Sequence, residues 1–378
     1  MLNRTSEKAK LSPVTGRQPA AVPTSLGRPI RVLVVDDSVV IRRLVTRVLA
    51  EDPAIEIAGI AANGSIALGR IPQVHPDVVS LDIEMPEMDG LETLRRIRQQ
   101  YLSLRVIMFS TLTARGAEHT LEALRLGAND YVTKPANVGS LDLSIERLRG
   151  ELIPKIKQFF VEPPRVTLPG QQAIVGLGVH HPAVAAYKPE VVAIGVSTGG
   201  PNALAHIFPQ FPADFPCPIL VVQHMPPLFT RMLAERLNAQ SQIEVLEAAD
   251  GMPVERGKAL IAPGDFHMRV ARLNRGLVVR LDQGPPQNSC RPAVDALFGA
   301  LARVCGGRVL GVVLTGMGRD GLLGAQELKS KGALMLAQDR ESSVVWGMPG
   351  SIAEAGFADK ILPLNAVVAE IQSRVSLS

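Results

Sequence analysis

Short runs of apolar, often β-branched residues recur along the chain. Each is followed by a stretch whose apolar residues fall three and four apart. In the first 160 residues the runs at 31–35, 55–60, 77–81, 105–109 and 130–132 predict strands. The intervening patterns at 38–51, 64–71, 90–100, 115–126 and 138–158 predict helices. Strictly alternating β and α units point to an α/β fold with a doubly wound parallel sheet. Strands that are apolar throughout, rather than at every second position, suit a sheet covered on both faces. The pattern then lapses. "VEPPRVTLPGQQAIVGLGVHHPAVAAYKPE" carries five prolines and no period, which predicts a linker. A second series begins near 190, with strands expected at 191–196, 218–223, 258–262 and 308–314. A hairpin is expected from Phe266 onward, turning at Asn274-Arg275-Gly276. The resulting division is a tail over 1–29, a first domain over 30–150, a helix end and linker over 151–189, and a second domain over 190–378.

Charge changes this picture little. Residues 1–30 hold five Arg or Lys and one Glu, so they carry the whole net charge of +4, and the remaining 35 basic residues balance 35 acidic ones. The basic tail reads as disordered. Neither domain is basic and 190–378 holds no helix-turn-helix pattern, so nucleic acid is not an expected partner. No apolar run is long enough to span a bilayer, and the N-terminus lacks the apolar core of a secretory signal, so neither membrane insertion nor export is expected. Cys217, Cys290 and Cys305 fit no disulfide or metal spacing, which suits reduced thiols in the cytoplasm. Neighbouring His180 and His181 cannot face one metal and have no third ligand nearby.

Candidate chemistry clusters at strand ends, where open parallel sheets bind ligands. In the first domain Asp36 and Asp37 follow the first strand, Asp82 ends the third in "SLDIEMPEMDG", and Lys134 follows the fifth in "YVTKPA". Carboxylates gathered this way suit a hard divalent ion such as Mg²⁺. Beside such an ion Asp82 can attack a phosphoryl group. In the second domain "GVSTG" satisfies the nucleophile-elbow pattern around Ser197, with a strand before it and a helix after it. The same glycines could cradle a phosphate, although no Lys-Ser/Thr follows as in a Walker loop. A serine needs a base. His224 ends the next strand, His267 in "APGDFHM" is its rival, and Asp320 in "TGMGRDG" follows a later strand. The chain order Ser, His, Asp differs from that of the α/β-hydrolases, which disfavours a lipase.

Two resemblances gather these residues. Residues 30–150 resemble the receiver domain of two-component response regulators through the acidic pair, D-x-x-M-P-x-M-D-G, Ser110-Thr111 and Lys134-Pro135. This implies a flavodoxin-like sheet, phosphorylation on Asp82, Mg²⁺ on Asp36, Asp37 and Asp82, and a phosphoryl group met by Ser110 and Lys134. Thr111, adjacent to Ser110, is the alternative for that role. Residues 190–378 are similar to the catalytic domain of the CheB family of protein-glutamate methylesterases, through "AIGVSTGGPNAL", "VVQHMPPLFT", "CRPAVDALF", "LTGMGRDGLLG" and "AQDRESSVVWGMPGSIAEAG". This implies a mainly parallel α/β hydrolytic domain with Ser197 as nucleophile, His224 as base and Asp320 as orienting acid. Thr198 would assist, and Met317 would lend its backbone N–H to the oxyanion. The implied activity is phosphorylation-controlled hydrolysis of glutamyl γ-methyl esters on chemoreceptor helices, with deamidation of receptor glutamines. It serves chemotactic adaptation, a chemotaxis histidine kinase supplies the phosphoryl group, and the hydrolase itself needs no cofactor. In the resting chain the receiver is expected to cover the hydrolase cleft. The alternative is a response regulator with a non-catalytic receptor-binding output domain. No role is evident for Cys290 or Trp346.

Overall fold

The computed structural model describes residues 24–134, 141–160, 188–274 and 276–376. Most of the basic tail, the greater part of the linker with His180 and His181, and the turn residue Arg275 lie outside them.

The N-terminal unit runs β1 (Ile30–Val35), α1 (Val39–Leu49), β2 (Ile55–Ala61), α2 (Gly64–Val74), β3 (Val78–Asp82), α3 (Gly90–Gln100), β4 (Arg105–Ser110), α4 (Ala114–Arg125), β5 (Asp130–Thr133) and α5 (Leu141–Lys157). All its strands are parallel, in the order β2-β1-β3-β4-β5. The first four helices start where their caps place them. The side chains of Ser38, Asn63, Asp89 and Thr113 each accept a first-turn N–H, answering donors that have no partner within the helix. α5 continues past 150, because Leu152 and Ile156 are buried in the core beside Val32 and Val34. Residues just before β1 are also tied down. Ser25 N–H donates to Phe160 O, and Arg28 forms two hydrogen bonds with Asp77.

The C-terminal unit runs β6 (Val191–Val196), α6 (Gly200–Ile207), β7 (Ile219–Gln223), α7 (Phe229–Gln240), β8 (Glu244–Glu247), β9 (Lys258–Ile261), the hairpin β10 (His267–Leu273) and β11 (Gly276–Asp282), α8 (Val294–Val304), β12 (Val309–Val313), α9 (Leu322–Ser330), β13 (Leu334–Gln338), α10 (Met348–Glu354), β14 (Lys360–Leu362) and α11 (Leu364–Ser376). Seven parallel strands are ordered β14-β13-β12-β6-β7-β9-β8. From β6 the chain winds first toward β7 and later returns to β12 on the other side. The end of β6 is therefore the switch point of the sheet, where connections diverge and leave a crevice. The two units share one apolar cluster. Leu121 and Leu124 of α4 and Tyr131 of β5 join Ala203 of α6 and Phe229 of α7. The rings of Tyr131 and Phe229 stack at 5.1 Å.

Candidate active site and phosphoryl pocket

Ser197 follows the last residue of β6, at the switch point. The turn that carries it is fixed from three sides. Its N–H donates to Thr315 O (3.0 Å), Gln223 Nε2 donates to its carbonyl (3.1 Å), and Thr315 Oγ1 donates to Thr198 O (2.9 Å). Gly199 sits at φ 79°, and a Cβ there would lie 2.6 Å from Val344. Only glycine takes both that backbone and that space without strain. A Cβ on Gly316 would likewise press on Ser197 at 2.9 Å.

His224 follows β7, which pairs with β6 so that Gln223 lies level with Val196. Its Nε2 meets Asp320 Oδ2 at 2.7 Å. Asp320 is buried and densely hydrogen bonded. It accepts from the N–H of Val294 (2.6 Å), Asp295 (3.1 Å) and Gly321 (3.0 Å) and from Asn288 Nδ2 (2.9 Å). Val294 and Asp295 open α8, whose N-cap residue Ala293 has no side chain to cap it. Asp320 therefore caps that helix from a distant loop, and the helix dipole holds its charge. Burial would raise the Asp320 pKa, but its bond to His224 and these N–H groups lower it. Burial disfavours charge on the His224 ring, yet Asp320 and Cys290 overcome this and raise its pKa. Ser197 Oγ makes no hydrogen bond to His224 among the described residues. The second ring nitrogen, Nδ1, faces Cys290 Sγ at 3.5 Å. Among the described residues the Met317 N–H donates no hydrogen bond. His267 lies apart from this group. It is fully buried at the start of β10, with Nε2 on Pro285 O at 3.0 Å.

Thr198 links the two units. Its Oγ1 lies 2.8 Å from Asp130 Oδ2 and 3.1 Å from Gln158 Oε1, both of the N-terminal unit. Lys155 Nζ holds the other Asp130 oxygen at 3.0 Å. Asn202 and Arg236 donate to the carbonyls of Leu124 and Leu121 near the end of α4, at 2.6 and 2.8 Å. Asp130, Gln158 and Arg236 lie in no quoted motif, and Asn202 lies in one without being singled out by it. Thr315 and Asp295 do lie inside quoted motifs and are found only through their contacts.

The second pocket forms where β1 and β3 end. One oxygen from each of Asp36, Asp37 and Asp82 lies within 4.8 Å of the others. Lys134 Nζ reaches Asp82 at 2.7 Å and Asp36 at 3.2 Å. Burial pushes the Asp82 carboxyl up to about 6, with Lys134 opposing and Asp36 adding to the rise. Three carboxylates against one ammonium leave negative charge that a divalent cation would neutralise, and all-oxygen donors suit Mg²⁺. Ser110 ends β4, but its hydroxyl bonds Gly116 O (3.1 Å) and Thr120 Oγ1 (2.6 Å), on the α4 side of the pocket. Thr111 Oγ1 bonds Thr113 Oγ1 (3.1 Å) in the same loop.

The family described as CheB methylesterase matches residues 192–371, and that described as response regulator receiver domain matches residues 32–146. A protein-glutamate methylesterase/protein-glutamine glutaminase of Trichodesmium erythraeum is 52% identical over 349 residues, covering 91% of this chain and 99% of its own. One from a Nocardioides species is 49% identical over 353 residues, covering 92% and 96%. The solved CheB methylesterase catalytic domain of Thermotoga maritima is 44% identical and covers 49% of this chain and 98% of its own, with a TM-score of 0.48.

Proposed function

This chain belongs to the family of protein-glutamate methylesterases/protein-glutamine glutaminases that join a response-regulator receiver to a CheB methylesterase domain, and from that premise we propose how its own residues do the work. It is a hydrolase of glutamyl γ-methyl esters and of glutamine side chains, controlled through its receiver. The observation that carries the assignment is the His224–Asp320 pair, 2.7 Å apart at the sheet edge where the Ser197 turn sits.

Asp320 engages Nε2, so Nδ1 is the nitrogen left to accept the Ser197 proton. As Ser197 Oγ bonds to the γ-carbonyl carbon, the carbonyl electrons move to oxygen, and the Met317 N–H stabilises that charge. His224 returns the proton to the leaving oxygen, the C–O bond breaks, and methanol departs. Water then repeats the sequence on the acyl-serine. Its proton passes through His224 to Ser197 Oγ, and a glutamate carboxyl is released. With glutamine the first leaving group is ammonia.

In the receiver, Asp36, Asp37 and Asp82 would hold Mg²⁺, which supplies charge neutralisation for the incoming phosphoryl group. Asp82 accepts that group, Lys134 pairs with it, and Ser110 turns from α4 to meet it. The chemical class of the partners follows: a phosphorylated kinase histidine as donor, and methylated receptor helices as substrate. Control acts at the contact of Asp130 and Gln158 with Thr198, the residue beside the nucleophile. The chain has no described helix long and apolar enough to cross a membrane.

The test is methanol release from methylated chemoreceptors, with and without Mg²⁺ and a small-molecule phosphodonor. Wild type should be stimulated. Asp82→Asn should stay at the unstimulated rate, since its amide cannot form an acyl phosphate. Stimulation of Asp82→Asn equal to that of wild type would exclude Asp82 as the acceptor. No release from any form would refute the esterase reading.

A further inference from the structure

Cys290 has no step in the reaction above, yet it touches the base. Its sulfur lies 3.5 Å from His224 Nδ1, while Asp320 occupies Nε2. The contact is built into the chain. Gln287 and Cys290 exchange two backbone hydrogen bonds, of 2.8 and 3.0 Å. Between them Asn288 and Ser289 stand at φ 49° and 62°, two successive non-glycine residues in the left-handed region. Such strain persists only where surrounding contacts impose it, and it gathers at functional sites. Here the contacts are visible. Asn288 Nδ2 bridges Asp295 Oδ2 (2.8 Å) and Asp320 Oδ1 (2.9 Å). Arg291 Nε donates to Asp265 at 3.0 Å, and its Nη1 donates to Gly284 O at 2.9 Å. A strained turn is thus anchored on the acid of the triad and presents a thiol to the base.

We propose that Cys290 is a positioning residue for the hydrolysis, holding the His224 ring through Nδ1 in the resting enzyme and yielding that nitrogen to Ser197 when substrate enters. The proposal rests on His224 being the base. A thiol is a weak donor and a weak acceptor. Against a neutral ring it offers S–H to Nδ1. Against a protonated ring its sulfur accepts Nδ1–H, and this second bond is charge-assisted and the stronger of the two. Cys290 therefore favours the protonated ring and keeps its plane fixed. Because the sulfur bond is weak, a serine hydroxyl can displace it. The ionisable groups facing the ring are Asp320, from the loop after β12, and Cys290, from the segment before α8. Asp295 of α8 acts through Asp320, with which it shares Asn288.

Two measurements on the full chain test this: an NMR titration of ¹⁵N-labelled His224, and the pH dependence of phosphodonor-stimulated methanol release. Cys290→Ala should lower the His224 pKa and the acidic limb of the rate profile by roughly half a unit or more, since it removes a hydrogen bond to the charged form. Cys290→Ser should keep the pKa at or above that of wild type, because its oxygen is a better acceptor. It should also turn over more slowly, because that oxygen competes with Ser197 for Nδ1. An unmoved or raised His224 pKa in a folded Cys290→Ala chain would overturn the proposal. If Cys290→Ala does not fold, a pKa in Cys290→Ser below that of wild type would overturn it. The titration needs no turnover. A His224 shift in a chain without esterase activity would therefore sustain the contact and fail the function, and the converse would do the reverse.

Discussion

Ser197→Ala should remove methanol release while leaving the fold intact, because among the described residues its hydroxyl makes no hydrogen bond. Loss of such a nucleophile lowers the rate by about 10⁴ or more. Retention of a tenth of the wild-type rate would reassign the nucleophile. The two histidines separate by environment. His224→Ala should abolish turnover, whereas His267→Ala empties a fully buried position away from Ser197. The second variant should lose stability, seen as a lower Tm, yet keep measurable esterase activity. The reverse result would place the base at His267. The pKa of His224 is raised, by Asp320 first and Cys290 next against the effect of burial. The base is active only when neutral, so the rate should climb with pH at values above the ordinary histidine range. A profile already flat at pH 6.5 would contradict this.

At the scale of elements, the β6–α6 turn decides where Ser197 points. Gly199→Ala meets two penalties at once, a left-handed backbone and a Cβ 2.6 Å from Val344. The backbone alone costs about 1–2 kcal/mol. The variant should unfold at lower denaturant and lose turnover, because relief of the clash moves Ser197 and Thr198 together. Unchanged kcat would show that the turn tolerates a Cβ. The loop carrying Asp320 and the start of α8 depend on each other in the same way, since the Asp320 carboxylate takes the first-turn N–H groups that the N-cap residue Ala293 cannot. Three strands escape a linear reading for local reasons. β8 mixes two glutamates with two apolar residues, β14 is three residues long and largely exposed, and β13 is a single short apolar run.

At the scale of the whole molecule, the receiver rests on the hydrolase through few polar contacts and one apolar cluster. Asn202 and Arg236 donate across that boundary and do not touch Ser197, His224 or Asp320. Each such bond is worth about 1 kcal/mol net. Removing both, as Asn202→Ala with Arg236→Ala, should shift the docked balance by roughly 30-fold and raise unstimulated methanol release while shrinking the gain from phosphodonor. An unstimulated rate equal to that of wild type would show that these contacts do not hold the resting state.

Much was legible in the chain itself. Fully apolar strands between amphipathic helices dictate parallel sheets, and parallel sheets bring strand ends to one edge. Asp36, Asp82 and Lys134, and likewise Ser197, His224 and Asp320, are therefore brought to one sheet edge by topology alone. What the chain could not state is which neighbour each side chain chooses across long separations. The choice between His224 and His267 rests on burial and on the partner each ring finds. Asp130 meets Thr198 across 68 residues, and no periodicity encodes a contact between two separately wound units. Cys290 sits in a motif without an evident role until the turn at 287–290 folds against Asp320 and sets its sulfur against His224 Nδ1. Local pattern follows from backbone geometry and burial, whereas these pairings follow from packing, which only the folded chain settles.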